Sequence, residues 1–289
     1  MNILTFDIED WFHILDHDST RTEKAWRAYE TRLPYNIERI LSLLERRKVK
    51  ATFFCLGWVA RKHPNIVRRI HQLGYEVGSH SDMHGIAYQQ ERREFCQDLE
   101  KSVKVIEDVT GERVRSFRAP GFSFIRDNKW AFDVMIENGI EIDCSIFPGK
   151  RAVGGFESFG ATEPCLVEIN GARIKEFPIS VFPFFGRHVG FSGGGYFRIL
   201  PYFVIKRIVR RSNYIMTYFH PRDFDPKQPW IKGLPLARKF KTYYGLRGAL
   251  SKLEWLLKGF EFIDLRQADR LVDWKNAKVV KLDPSPSIH

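Results

Sequence analysis

The sequence predicts an α/β protein, a (β/α) barrel, and three observations carry that expectation. Short apolar runs alternate with stretches of helical period, the pattern of parallel strands joined by crossover helices. The runs number about eight, which suits a barrel better than an open sheet. Polar residues gather at the C-terminal ends of several runs whose interiors are apolar, and catalytic groups collect on that face of a (β/α) barrel.

The strand candidates are Ile3–Asp7, Ala51–Leu56, Tyr75–His80, Val114–Arg118, Ile140–Ser145, Glu176–Ser180, Tyr214–His220 and Phe260–Leu265. Between them, Pro34 sits in the first turn of a helix whose stripe is Ile37, Ile40, Leu41 and Leu44, apolar at i, i+3, i+4 and i+7. A second helix carries Ile66, Val67, Ile70 and Leu73 and stops at Gly74. A third carries Phe95, Leu99, Val103 and Ile106 and ends near Gly111. Trp130 to Asn138 is helical and closed by Gly139, the residue type that best tolerates the left-handed turn after a helix. Pro201–Arg211 and Thr242–Lys258 are the last helices, the latter buried through Leu246, Leu250, Leu253 and Leu257. Two stretches break the rhythm, Phe147–Arg173 and Phe182–Tyr196, and both are expected to be long functional loops (about 147–173 and 182–198) inserted in a single domain spanning 1–289. The tail Asp283–His289 is expected to be frayed.

Composition narrows the partners. The 289 residues are 44% hydrophobic, enough to fill one core, and carry a net charge of +11. That balance favours an anionic partner such as a nucleotide-sugar, a lipid pyrophosphate or a membrane surface. The basic clusters Arg46-Arg47-Lys48, Arg68-Arg69, Arg92-Arg93 and the 206–211 group fall on separate helices, so nucleic acid is not expected. Cys55, Cys96, Cys144 and Cys165 show no paired spacing and suit reduced thiols. The N-terminus lacks a basic-then-apolar leader, and no apolar run reaches 18 residues. A cytoplasmic protein is expected, with peripheral membrane contact the only membrane association.

The strand ends hold the chemistry. Asp7, Glu9 and Asp10 crowd the first, and three acids beside an apolar strand need a cation or a proton to be tolerated. His80 and His84 close the third strand. Two imidazoles with one carboxylate leave an open position, the catalytic zinc pattern. Arg118 emerges from the fourth run and needs a carboxylate partner; Asp143 ends the fifth; His220 ends the seventh and is poised for general acid work near neutral pH. Trp11, Phe12, Phe122 and Tyr196 could stack on a sugar ring, and core packing is at least as good an account of each alone.

Thr5-Phe6-Asp7, His80-Ser81-Asp82-Met83-His84, Arg118-Ala119-Pro120-Gly121 and His220 resemble, in order, the motifs of the polysaccharide deacetylase (NodB homology) family. The likeness spans roughly residues 3 to 221. Asp143-Cys144-Ser145-Ile146-Phe147-Pro148 and Phe191–Arg198 look like a subgroup of bacterial polysaccharide biosynthesis loci, related to the peptidoglycan deacetylase and allantoinase-like branch.

The resemblance implies a distorted (β/α) barrel of seven or eight strands and a divalent metal, zinc first and cobalt or nickel next. It implies Asp7 as base, Arg118 orienting it, His80 and His84 as ligands and His220 protonating the leaving amine. Trp11, Pro120, Phe122, Asp143 and Tyr196 would line the substrate, an acetylated amino sugar, free, nucleotide-linked, lipid-linked or polymeric. The family's paired aspartates are replaced by Asp7-Ile8-Glu9-Asp10. Alternation along a strand puts Glu9 beside Asp7, whereas a bend at the strand end would bring in Asp10, favoured slightly for its shorter reach. The tryptophan often found near Asp143 is missing. Rival expectations are a cyclic-amide hydrolase and a non-catalytic sugar-binding barrel.

Overall fold

The computed structural model describes residues 1–15, 17–184 and 187–283. Its strands are β1 (Asn2–Ile3), β2 (Thr5–Ile8), β3 (Thr52–Cys55), β4 (Glu76–Ser79), β5 (Ser116–Phe117), β6 (Ile142–Asp143), β7 (Cys165–Ile169), β8 (Ala172–Glu176), β9 (Val181–Phe184), β10 (Arg187–Gly190), β11 (Ile215–Met216) and β12 (Val279–Lys281). One sheet takes eight of them in the order β12-β7-β8-β6-β5-β4-β3-β2. From β2 to β6 and on to β8 the pairing is parallel. On its other flank the first strand meets β11, through Asn2–Ile215, Ile3–Met216 and an isolated bridge from Phe6 to Phe219.

The sheet therefore curls back toward its own start. The remaining seam, between the chain after β8 and β11, is bridged by a side chain. The Ser180 hydroxyl accepts from the Met216 amide at 2.7 Å and donates to the Tyr214 carbonyl at 3.4 Å. The Tyr214 hydroxyl donates to the Pro178 carbonyl at 2.7 Å. This is a distorted (β/α) barrel, with the distortion at the seam where side chains replace the backbone ladder.

Period-two alternation sorts the residues. Phe6, Ile8, Phe53 and Cys55 face the helices and join the larger apolar cluster, with Ile37, Ile40, Leu41, Leu44, Val67, Ile70, Leu99 and Leu253. Ile3, Phe54, Ile142, Cys144, Phe177, Met216 and Tyr218 form a second cluster inside the barrel. The helices follow from local signals. Leu33–Arg47 has Pro34 in its first turn and buries the predicted stripe. Arg92–Thr110 opens with a capping box between Glu91 and Glu94 and closes at Gly111, whose φ of 71° suits glycine.

Several expectations change. The stretch Phe147–Arg173 is a loop only in its first part: β7 and the start of β8 form an antiparallel hairpin turned by Asn170 and Gly171. Phe182–Tyr196 holds the β9–β10 hairpin and the start of helix Gly194–Ile199. The β7–β8 hairpin carries the alternating burial of a sheet with one covered face. Glu176 ends β8, and Phe177–Ser180 continues without ladder pairing. Phe260–Leu265 contributes a single bridge, Ile263 to Ile3, because Asp264 caps a helix that starts at Leu265. The helix expected over Thr242–Lys258 is two, Leu236–Tyr243 and Leu246–Gly259, broken by Gly245 at φ 75°. Of the expected tail, residues 284–289 lie outside the described residues.

Gly78 shows how tightly the barrel closes. A β-carbon there would lie 2.6 Å from Ser116 Oγ, 2.8 Å from Phe54 Cδ1 and 2.9 Å from the Ser116 carbonyl oxygen. Gly78→Ala is therefore expected to destabilise the fold by about 1–3 kcal/mol through overpacking. Urea denaturation checks this, and a midpoint equal to that of the parent would refute it.

Candidate metal and catalytic centre

Alternation along β2 and its continuation points Thr5, Asp7 and Glu9 into the barrel, while Phe6 and Ile8 point out. From β4, His80 follows the inward Gly78. The turn after it is unusual: Ser81 and His84 both adopt positive φ, 70° and 57°, a conformation that side chains rarely take. Hydrogen bonds hold it there. Ser81 Oγ accepts from the His84 amide at 3.0 Å, and the Asp98 carboxylate accepts from the amides of Asp82 and Met83 at 2.7 and 3.1 Å. Asp82 in turn takes a two-pronged contact from Arg61. Burial pushes the Asp98 carboxyl up to about 6.

Glu9, His80 and His84 converge. Glu9 Oε1 lies 3.2 Å from His80 Nε2 and 3.0 Å from His84 Nε2, and the three donor atoms lie within 4.8 Å of one another. Burial alone would push the Glu9 carboxyl up, but His84, His220 and His80 hold it well below the ordinary range. Burial lowers His84 against the pull of Glu9, so its imidazole stays neutral, the form that ligates. His80 Nδ1 sits 2.7 Å from the Arg118 carbonyl. A carbonyl only accepts, so Nδ1 carries the proton and Nε2 turns its lone pair toward the cluster. Glu9 Oε2 is buried with no hydrogen-bond partner. Two imidazoles, one carboxylate and its unused oxygen fit a divalent cation.

Asp10, the acid slightly preferred from sequence, lies elsewhere. Its carboxylate accepts from the Thr31 hydroxyl at 2.5 Å and from the amides of Trp11, Arg32 and Leu33 at 2.8 to 3.4 Å. These amides include the first of helix Leu33–Arg47, where an anion satisfies donors that have no partner in the helix.

Beside the cluster sits the Asp7 group. Arg118 is completely buried and donates through Nη1 to Asp7 Oδ1 and Thr5 Oγ1, both at 2.7 Å, and through Nε to the Cys144 carbonyl at 3.3 Å. Asp7 Oδ2 faces His220 Nε2 at 3.8 Å. His220 donates from Nδ1 to Asp223 at 3.1 Å, and its Nε2 lies 3.5 Å from Glu9 Oε1. Burial would lower the His220 pKa, but Glu9 and Asp223 raise it above its ordinary value. Asp223, opposed by burial, is brought down to about 2 by His220 and by Arg198 and Arg222.

The remaining expected contacts divide. Trp11, Pro120 and Phe122 are buried. Trp11 packs on Phe12 and Tyr29 and donates to the Glu30 carbonyl, and Phe122 sits at φ 55° against Tyr218. Asp143 is fully buried, accepts from Ser145 Oγ at 2.5 Å and pairs with Glu176. Burial and Asp143 push the Glu176 carboxyl well up, so Glu176 holds the shared proton. Tyr196 alone of the five is substantially open, with Lys241 Nζ 4.3 Å from its ring centre. Three residues were missed from sequence: Asp223, Asp98 and His13. Only the motif His220-Pro221-Arg222-Asp223 offered a signal for the first. His13 is buried between Trp26 and Trp58, its ring centre 6.1 Å from that of His84.

Comparison with known proteins bears on this arrangement. Residues 4–139 match the polysaccharide deacetylase family and residues 144–270 match a domain of unknown function, DUF3473. A peptidoglycan-N-acetylglucosamine deacetylase of Bacillus cereus is 33% identical over 94 residues, 32% of this chain and 34% of that protein. The Listeria monocytogenes peptidoglycan-N-acetylglucosamine deacetylase PgdA is 37% identical over 81 residues, 28% of this chain and 17% of that protein. The likeness thus spans 34% and 17% of the length of these two relatives. Among solved structures, a Mycobacterium smegmatis protein bearing the polysaccharide deacetylase name superposes with a TM-score of 0.67 at 17% identity, covering 96% of this chain and 91% of that one. A CE4 family pseudoenzyme from Bacillus anthracis gives 0.50 at 16% identity, covering 92% and 64%. At such identities these two speak for the fold. The ordered motifs and the match over residues 4–139 point to the polysaccharide deacetylase family, and the shared barrel agrees with it.

Proposed function

We propose that the chain is a metal-dependent N-deacetylase that hydrolyses the acetamide of an amino sugar in a bacterial polysaccharide or its precursor. The observation that carries this is the convergence of Glu9, His80 and His84 next to the Asp7–Arg118 pair and His220. A fold shared with a pseudoenzyme says nothing about activity, so the argument rests on this intact set of side chains. Strands from both matched stretches share one sheet, which supports a single catalytic domain.

Glu9, His80 and His84 would hold the cation, zinc in first place for its preference for nitrogen and carboxylate donors, with cobalt and nickel next. Such an ion supplies Lewis acidity, polarising an amide carbonyl and acidifying water. The chain's own groups do the rest. Arg118 ties down one oxygen of Asp7 and leaves Oδ2 to accept a proton from the attacking water. His220, kept protonated by Asp223 and Glu9, delivers a proton from Nε2 to the departing nitrogen. That division assigns base and acid to groups whose surroundings favour the required form. A lipid- or nucleotide-linked sugar agrees with the basic charge of +11, and a cytoplasmic site of action agrees with free cysteines at all four positions.

Three measurements test this. Purified protein is expected to hold near one divalent ion per chain, lost in His80→Ala/His84→Ala and in Glu9→Gln but retained in Asp10→Asn. Loss of the ion in Asp10→Asn with retention in Glu9→Gln would reverse the ligand assignment. Asp7→Asn is expected to keep the ion while acetate release from N-acetylglucosamine oligomers falls by about 10²–10⁴-fold. Metal-loaded protein with no acetate release from oligomeric, nucleotide-linked or lipid-linked substrates would favour a sugar-binding barrel.

Asp223 gives the pH test. Its pKa is about 2 in the fold against 3.8 for an unperturbed aspartate. A lowered carboxyl stabilises the fold above the unfolded value and loses that contribution as pH falls through the folded one. Asp223→Asn is expected to cost about 2 kcal/mol at pH 7. The gap from the parent should close as pH drops from about 4 toward 2, read by urea unfolding across that range. A gap unchanged with pH would show that Asp223 acts through shape alone.

A further inference from the structure

Just past His220–Asp225 the chain forms a basic surface with open apolar side chains. Between residues 226 and 251 the sequence has Lys227, Lys232, Arg238, Lys239, Lys241 and Arg247 and no acidic residue. Helix Leu236–Tyr243 within it buries none of its residues. Leu236 is 84% exposed, Trp230 65% and Phe240 54%. The segment is nonetheless built. Tyr243 Oη accepts from the Ile231 amide at 2.7 Å and donates to the Pro229 carbonyl at 3.0 Å. The Trp230 ring stacks on Tyr243 at 4.5 Å, and Phe240 stacks on Tyr244 at 4.7 Å. Lys239 Nζ lies 4.6 Å from the Trp230 ring centre. Arg238 donates to the Leu15 carbonyl, in the loop that follows Glu9 and Asp10, so the surface lies at the same end of the barrel as the candidate centre.

We propose that residues 226–244 form a docking surface for an anionic phospholipid bilayer. Interleaved lysines complement acidic headgroups, each contributing through charge at the interface. Aromatic rings suit the interfacial zone, and a short basic amphipathic helix lies in that plane. The aliphatic and benzyl groups decide between partners. A soluble polyanion or a glycan gains nothing from an open leucine, whereas insertion between acyl chains removes that surface from water. No described helix is long and apolar enough to cross a membrane, and docking needs none. The consequence is orientation: the barrel end carrying Glu9, His80, His84 and His220 would face the membrane surface.

Co-sedimentation of the full chain with vesicles tests the proposal without reference to catalysis. Vesicles of equal parts phosphatidylglycerol and phosphatidylcholine are expected to capture the protein at low salt; pure phosphatidylcholine vesicles are not. Leu236→Ser/Phe240→Ser and Lys232→Glu/Lys241→Glu each alter exposed residues and are each expected to weaken capture by at least about tenfold, with circular dichroism unchanged. Capture by neither vesicle, or equally by both, overturns the proposal. So does undiminished vesicle capture in the Leu236→Ser/Phe240→Ser protein, or capture by single-stranded RNA or heparin with no vesicle binding. If a double variant misfolds, the composition and salt dependence of the parent protein still decide.

Discussion

Arg118 has no exposure to water, and the centre is assembled around it. Its side chain neutralises Asp7, ties Thr5 and reaches the Cys144 carbonyl, while its own carbonyl fixes the tautomer of His80. One residue thereby orients the proposed base and sets the lone pair of a proposed ligand. Its guanidinium lies 4.3 Å from the Phe54 ring centre, so the cation is also shielded by an aromatic face. A buried ion pair is a poor source of net stability, since desolvation offsets most of the attraction. Breaking one is different, because the surviving charge is left uncompensated. The pair is best understood as a device for holding a carboxylate oriented inside a barrel.

The rest of the interior manages charge in a second way. Asp143 and Glu176 lie across adjacent strands, with the cations of the centre engaged elsewhere. They share a proton, and Glu176 stays neutral. Lower in the barrel Glu76 is likewise pushed up by burial and accepts from Thr52 and Ser116. Two strategies thus coexist a few strands apart. Glu9 among the histidines is held well below the ordinary carboxylate range, whereas burial pushes Glu76 and Glu176, which lack a cation partner, upward.

Strain is placed where function needs it. The turn after β4 carries two positive φ values at Ser81 and His84, and it persists because Asp98, Arg61 and Ser81 brace it from three sides. Without the left-handed turn, His84 would not swing back over Glu9. Arg61 and Asp98 come from helices Gly57–Lys62 and Arg92–Thr110, so the ligand geometry depends in part on helices packed outside the barrel.

The sequence by itself determined the alternation of strands and helices, the barrel class and the meeting of Asp7, His80, His84, Arg118 and His220. These follow from local periodicity and from strand ends converging on one face of a parallel barrel. Alternation also favoured Glu9 beside Asp7. The shorter carboxylate reach at a bent strand end tilted the choice toward Asp10, yet the amides that open helix Leu33–Arg47 capture that side chain instead. The loops that proved to be hairpins were hidden for a similar reason, their pairing being set by neighbouring strands more than by composition. Tertiary structure alone decided that Asp143 would bond Glu176, 33 positions away, and that Arg198 would reach Asp223. Partners of that kind are brought together by barrel closure, which leaves no period in the sequence to read.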